Sequence, residues 1–292
     1  MKRHFGFWVV ALAAAIHMLT GVTTAAAQSS GSVGQTPMPV VGPGGVGGSG
    51  ADDLAKSLAN PVASLISVPF QMNWDTGIGP EKGRRFILNF QPVLPFSVND
   101  DWNLIARIIT PVIGQPVLVA GGQPSFGLGD ILVSGFFSPK RGSIIWGVGP
   151  IVGLPVTSDP ALGSGTFNLG PTGLVLKQTG PWTVGALFNH VWSVGGDTGR
   201  ADVNQTFLQP FVTYSKSGWS FAINSEAVAN WKAAGGEQWT VPINFSVSKV
   251  IKLGNKPISM GAGPRFYAKT PTGGPSWGFR WNITLLFPTG GK

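Results

Sequence analysis

The stretch SWGFRWNITLLF, Ser276 to Phe287, carries a large apolar side chain at every second position from Trp277. Trp277, Phe279, Trp281, Ile283, Leu285 and Phe287 share one face; Gly278, Arg280, Asn282, Thr284 and Leu286 share the other. A period of two predicts a strand with one dry face and one wet face. A dry face this aromatic, backed by an arginine, raises the question of what each side meets.

The same pattern recurs upstream. Twelve segments alternate at least in part, at about 65–76, 85–96, 102–113, 126–138, 143–155, 165–177, 181–193, 203–215, 218–230, 238–250, 256–269 and 276–288. Their lengths suit strands that cross a bilayer at a tilt, which need ~9–11 residues. The connections alternate too. Short ones (SVNDD, PKRG, KQTG, SKSG, IKLGN) take turns with long ones (GIGPEKGR, GQPVLVAGGQPS, VTSDPALGS, VGGDTGRAD, WKAAGGE, TPTGGP). Short periplasmic turns and longer external loops are the expected rhythm of an outer-membrane barrel, and an even strand count leaves both ends on the periplasmic side. The expected fold is therefore all-β: a transmembrane, antiparallel, up-and-down β-barrel of about 12 strands over 65–288, with a short N-terminal periplasmic segment.

Composition agrees. Charged residues make up 11% of the chain, under half of the ~25% usual in soluble domains. In 238–250, Trp239, Val241, Ile243, Phe245 and Val247 oppose Gln238, Thr240, Asn244, Ser246 and Ser248. A soluble sheet would place Lys and Glu on its wet face; Asn, Gln, Ser and Thr with few charges suit a confined polar lumen. The chain starts MKRHFGFWVVALAAAIHMLTGVTTAAAQ, a positive start, an apolar stretch and a small-residue site, so residues 1–27 read as a secretory signal peptide. After it no run of ~20 apolar residues occurs, so no helical span is expected. Residues 28–50 are a Gly/Ser/Pro leader expected to be disordered; 51–64 read as a short helical periplasmic or plug-like segment; 289–292 form a C-terminal tail. The chain has no cysteine, which excludes disulfides, thiolate chemistry and a lipid anchor on cysteine. The formal charge of +8 would admit nucleic acid as a partner, but export makes that partner unexpected.

The runs NPVASLISVPFQMNW, DWNLIARIITPVI, FGLGDILVSGFFSP, IIWGVGPIVGLP, GPWTVGALFNHVWS, DVNQTFLQPFV and QWTVPINFSVSKV resemble a large family of proteobacterial outer-membrane proteins. That family is grouped with proposed transporters of the meta-pathway of phenol degradation, and its members are sometimes misnamed neuromedin U. The resemblance covers about Ala51 to Pro288. It implies an outer-membrane barrel and a transport role, and it carries no catalytic set. Barrels of this kind often finish on an aromatic that the barrel assembly machinery recognises; here Phe287 is followed by Pro-Thr-Gly-Gly-Lys, so Phe287 is expected to serve as an internal signal.

Extending the alternation turns Arg107, Asp130, Glu226, Arg265 and Arg280 inward, together with Asn89, Gln91, Asn224, Asn244 and Asn282. An arginine on the lipid face at mid-membrane would cost ~2–4 kcal/mol. These ten are the candidates for setting the lumen's selectivity. Trp74, Trp102, Trp182, Trp192, Trp219, Trp231, Trp239 and Trp277 fall near strand ends, where an apolar ring with a polar N–H suits the membrane interface. His190 is the only histidine after the signal, and Ser193, three positions on, should face away from it, so no nucleophile–base pair is expected. No cluster of metal ligands and no cofactor motif is present. The expected function is passive passage of small solutes, apolar or aromatic ones included, through a polar lumen; a closed structural or surface-contact barrel is the alternative. Outer-membrane lipids, the assembly machinery and a small-molecule solute are the expected partners. Prolines inside segments (Pro69, Pro92, Pro111, Pro171, Pro210, Pro242) remove ladder donors, so bulges or kinks are expected at several of them.

Overall fold

The computed structural model describes residues 49–254 and 256–288; the expected signal peptide, nearly all of the expected leader and the tail lie outside them. A helix, α1 (Ser49–Leu58), is followed by fifteen strands in one sheet. They are β1 (Leu65–Ile78), β2 (Gly83–Phe90), β3 (Val93–Ser97), β4 (Trp102–Gln115), β5 (Ser125–Leu128), β6 (Ile131–Pro139), β7 (Ile145–Leu154), β8 (Thr166–Thr179), β9 (Trp182–Gly196), β10 (Asn204–Lys216), β11 (Trp219–Ser225), β12 (Ala227–Asn230), β13 (Trp239–Leu253), β14 (Lys256–Lys269) and β15 (Trp277–Pro288). β1 pairs with β15 from Leu65↔Pro288 to Thr76↔Trp277, which closes the sheet. The pairs β2/β3, β5/β6 and β11/β12 lie end to end as single interrupted strands. The wall is thus a closed barrel of twelve antiparallel strands.

The expected segments 85–96, 126–138 and 218–230 are each split, and the internal prolines explain why. Pairing of β1 with β2 ends at Phe70↔Phe90 and resumes with β3 at Ser67↔Val93; Pro69 and Pro92 both sit in that lapse. Pro111 faces the bulge at Gly129 and Asp130 between β5 and β6, where Gly129 N–H donates to the Pro111 carbonyl (3.0 Å). Pro210 lies in the lapse between Leu208↔Ala227 and Phe211↔Asn224, opposite Ser225 and Glu226. Pro242 coincides with a register shift. In Gly149-Pro150, Gly170-Pro171 and Gly263-Pro264, a Cβ on the glycine would collide with the carbonyl oxygen of Gly135, His190 or Phe245 on the next strand. The prolines therefore stand where the ladder already lapses on one side, where a missing N–H costs least.

Tight turns at 98–101, 140–144, 180–181 and 217–218 lie at the end that carries α1, and longer loops at 116–124, 155–165, 197–203, 231–238 and 270–276 lie at the other. The connection 79–82 is tighter than GIGPEKGR suggested, because β1 and β2 extend into it. At 217–218 both Ser217 and Gly218 have positive φ (54° and 74°), the conformation of the two-residue hairpin turn that matches strand twist. Among the described residues no helix is long and apolar enough to cross a membrane; the barrel would cross with its strands.

The outer face is apolar: Phe188, Phe221, Ile223, Phe245, Phe279 and Trp281 are all exposed. Trp74, Trp192, Trp231, Trp239 and Trp277 lie toward the loop end, and Trp102, Trp182 and Trp219 toward the helix end. Trp146, absent from the expected belt, joins the helix end edge-on to Trp102 (5.8 Å), as Trp231 does to Trp239 (5.8 Å).

Candidate lumen and its arginines

Inside, the side of the wall built from β11/β12, β13, β14, β15, β1 and β2 carries a network of paired charges. Arg280, only 4% exposed, grips Glu226 with two bonds (Nη1–Oε1 2.7 Å, Nη2–Oε2 2.6 Å), and its Nε donates to Asn73 Oδ1 (2.7 Å). Arg265 Nη1 donates to the same Asn73 oxygen (2.5 Å) and lies 3.6 Å from Asp75 and 4.0 Å from Glu226. Arg85 completes the set on Asp75 (3.2 Å). A two-pronged arginine–carboxylate pair is among the stronger polar contacts available to a protein, and its burial makes removal of one partner costly.

The opposite side adds a buried apolar cluster beside polar residues such as Ser134, Asn168, Thr172 and Gln205. Ile105, Phe136, Leu174, Leu176 and Leu187 form a buried cluster with Val62, and Val93, Ile145, Phe207 and Phe211 pack on it. Ile105 stands two positions before Arg107 in WNLIARIITPVI, so alternation puts both on one face, but it could not say that Ile105 would join a cluster with Val62 and Leu187.

Each of the ten expected lumen residues borders an interior cavity or contacts another polar side chain. Asn244 Nδ2 donates to Asn224 Oδ1 (2.8 Å). Asn89 and Gln91 each donate to Gln71 Oε1 (3.1 and 3.3 Å). Asn282 borders the cavity nearest α1. Asp130 Oδ2 accepts from the backbone N–H and the hydroxyl of Ser164 (2.6 and 2.7 Å), anchoring the loop 155–165 over the mouth. Arg200 fastens the same loop through the carbonyls of Ser164 (2.9 Å), Pro160 (2.8 Å) and Gly163. Gln71, Asn73 and Asp75 were not singled out in the sequence, although their spacing in FQMNWDT marks one polar face of β1.

Arg107 stands apart from the other arginines. Its one hydrogen bond among the described residues runs from Nη2 to Gln91 Oε1 (2.6 Å). Two cavities meet at it. One, about 310 Å³, is floored by residues 55–63 and lined by Gln71, Gln209, Ser248 and Thr284; the other, about 480 Å³, lies under Leu162 and Asp130 and is lined by Phe136, Asn168, Asn189, Gln205 and Phe207. Arg107 and Leu187 border both.

The helix closes the first cavity. Ala51, Leu54, Ala55 and Leu58, spaced for one helical face, pack on Leu65, Val250 and Leu286. Asp52 Oδ1 accepts from Gly218 N–H (2.6 Å), and Gln178 donates to the Lys56 carbonyl (2.9 Å). The chain then drives Val62 into the apolar cluster before entering β1. The helix begins at Ser49, two residues ahead of its expected start.

On the outer face, Trp231 Nε1–H donates to Thr206 Oγ1 (2.8 Å), whose hydroxyl lies 2.7 Å from His190 Nδ1. Ser193 instead accepts from Val203 N–H (3.1 Å). Among the described residues no group of three His, Asp or Glu could hold a metal ion.

No protein-family model matches the chain, and no curated protein matches it. Among solved structures it is similar to an outer membrane channel from Pseudomonas putida F1, with a TM-score of 0.59 and 13% identity, over 76% of this chain and 94% of that one. It is more distantly similar to outer membrane phospholipase A from Escherichia coli, with a TM-score of 0.44 and 9% identity, over 76% of this chain and 97% of that one. The first likeness places the chain in the fold of outer-membrane β-barrels.

Proposed function

We propose that this barrel is a passive channel of the outer membrane for small solutes, closed at rest by α1 at the periplasmic end and narrowed by the loop 155–165 at the other. The observation that carries the reading is the pair of cavities, about 310 and 480 Å³, that meet at Arg107 and together reach from the helix to the loop. A lumen serving structure alone would be filled by side chains, as barrels of ~8 strands are, whereas ~16 strands leave an open channel. Twelve strands fall between, and here space remains. The apolar cluster in the wall suits a solute with an apolar body, which agrees with the transport role implied by the resemblance to the meta-pathway family. No catalytic role is proposed.

The test is single-channel recording in planar bilayers with solute uptake by proteoliposomes. Wild-type protein is expected to show rare openings. Leu54→Asp, which places a charge on the packed face of α1, is expected to raise the open fraction severalfold. A silent bilayer for both proteins, with uptake no faster than in empty vesicles, would overturn the reading. A specific observation favours the second reading, a closed structural barrel: three of the lumen's arginines are engaged with carboxylates. That silent result is what it predicts.

A further inference from the structure

Three of the four lumen arginines have carboxylate partners: Arg85 on Asp75, Arg265 on Asp75 and Glu226, and Arg280 on Glu226. Arg107 has no carboxylate within ion-pair distance among the described residues, only the longer-range attraction of Glu226, and it occupies the one position shared by both cavities beside Leu187. It is nevertheless held in place. Gln91, 7% exposed, donates its amide N–H to Gln71 and so presents its carbonyl oxygen to Arg107 Nη2. Gln71 is fixed in turn by Asn89 and Asn73. One edge of the guanidinium is thus pinned by a buried amide relay, while Nε and Nη1 have no hydrogen-bond partner among the described residues. A guanidinium offers five N–H donors in a planar fork that matches a carboxylate. In a partly enclosed cavity an unmatched fork attracts an anion more strongly than it would in bulk water. The adjoining wall supplies Phe136, Ile151, Phe207 and Leu162 for an apolar body.

We propose that Arg107 is the site that receives the anionic group of the solute, so that the barrel selects small monocarboxylates with an apolar body. The carboxylate would lie on the free edge of Arg107 where the cavities meet, with its apolar body along the wall of Phe136 and Leu187. This rests on the channel reading, and the two separate experimentally.

Binding is measured on the full chain, purified in detergent, with hexanoate, hexan-1-ol and hexylamine as probes at neutral pH. Hexanoate is expected to bind about 10–100-fold tighter than hexan-1-ol, the worth of one charge-assisted contact. Arg107→Gln is expected to bring hexanoate down to the level of the alcohol without changing the alcohol. Arg107→Lys, which keeps the charge and loses the fork, should fall between. Heat-modifiable migration of each variant confirms that the barrel is intact. Equal binding of acid and alcohol, or hexanoate binding untouched by Arg107→Gln, overturns the proposal. Reversal potentials in a salt gradient separate the two readings. A current that loses anion preference in Arg107→Gln supports both, and a current indifferent to Arg107 leaves a channel without this site. Hexanoate binding without any current keeps the site and removes the channel.

Discussion

Arg280 and Arg107 have the same charge and face the same lumen, yet they are set up for different work. Arg280 is spent on Glu226 and Asn73, so Arg280→Ala leaves the half-buried Glu226 with only its 4.0 Å contact to Arg265. It is expected to destabilise the barrel by about 3–5 kcal/mol, read as a lower temperature for the shift of the heat-modifiable band. Arg107→Ala loses one hydrogen bond and should cost less, about 1–2 kcal/mol. Equal losses for the two would show that Arg107 is also part of the frame. A third ionisable group acts outside the membrane. Glu237, in the loop 231–238, accepts from the backbone N–H of Thr272 (2.5 Å) and from its hydroxyl (3.0 Å), and these bonds hold its carboxyl below the ordinary glutamate range. A depressed carboxylate stabilises the folded form above its unfolded pKa and loses that contribution as pH falls through the folded one. The staple between the loops 231–238 and 270–276 should therefore loosen in acid, below a pH of about 4. Protease cleavage of 270–276 that rises in that range in wild type, and is flat with pH in Glu237→Gln, is the expected result.

At the scale of elements, Gly-Pro pairs are the device that lets strands run past their own prolines. The glycine admits the neighbouring carbonyl and the proline removes a donor where its loss costs least. Gly170→Ala would push a methyl group into the His190 carbonyl, and a loss of about 1–3 kcal/mol is expected from such crowding. Gly180→Ala is the control: space around it is open, and only its turn conformation (φ 55°) opposes the change. It is expected to lower the band-shift temperature less than Gly170→Ala. The helix α1 is a second device of this kind. Asp52 bonds the turn at Gly218, and the small and aliphatic residues of one helical face seal the floor. Asp52→Ala should loosen that seal, visible as faster proteolysis at residues 49–58 with the barrel itself intact.

For the whole molecule, the two ends of the exterior carry the tryptophans and the middle carries aliphatics and phenylalanines. In bilayers of lipids brominated near the headgroup, quenching of tryptophan fluorescence should exceed that from lipids brominated deep in the chain, since most of the rings lie near strand ends. Trp281, four residues inside β15 and 40% exposed, should supply much of the deep-quenched remainder; Trp281→Phe should reduce it. Stronger deep than shallow quenching in wild type would contradict the interfacial placement.

The strands and the outward face were legible because alternation is local: SWGFRWNITLLF states which side chains share a face without reference to any other part of the chain. The same rule turned Arg280, Arg107 and Glu226 inward. It could not say which of them would meet. Asn73 and Arg280 are 207 positions apart, and Glu226 and Arg280 are 54 apart. Their contact depends on the closure of β1 on β15 and on the lapse opposite Pro210 that frees Glu226 from the ladder. Alternation encodes in or out, but not height or position around the barrel, and those are set by register. For that reason the apolar cluster around Phe136, the seating of α1 and the singular position of Arg107 were decided only by the tertiary structure.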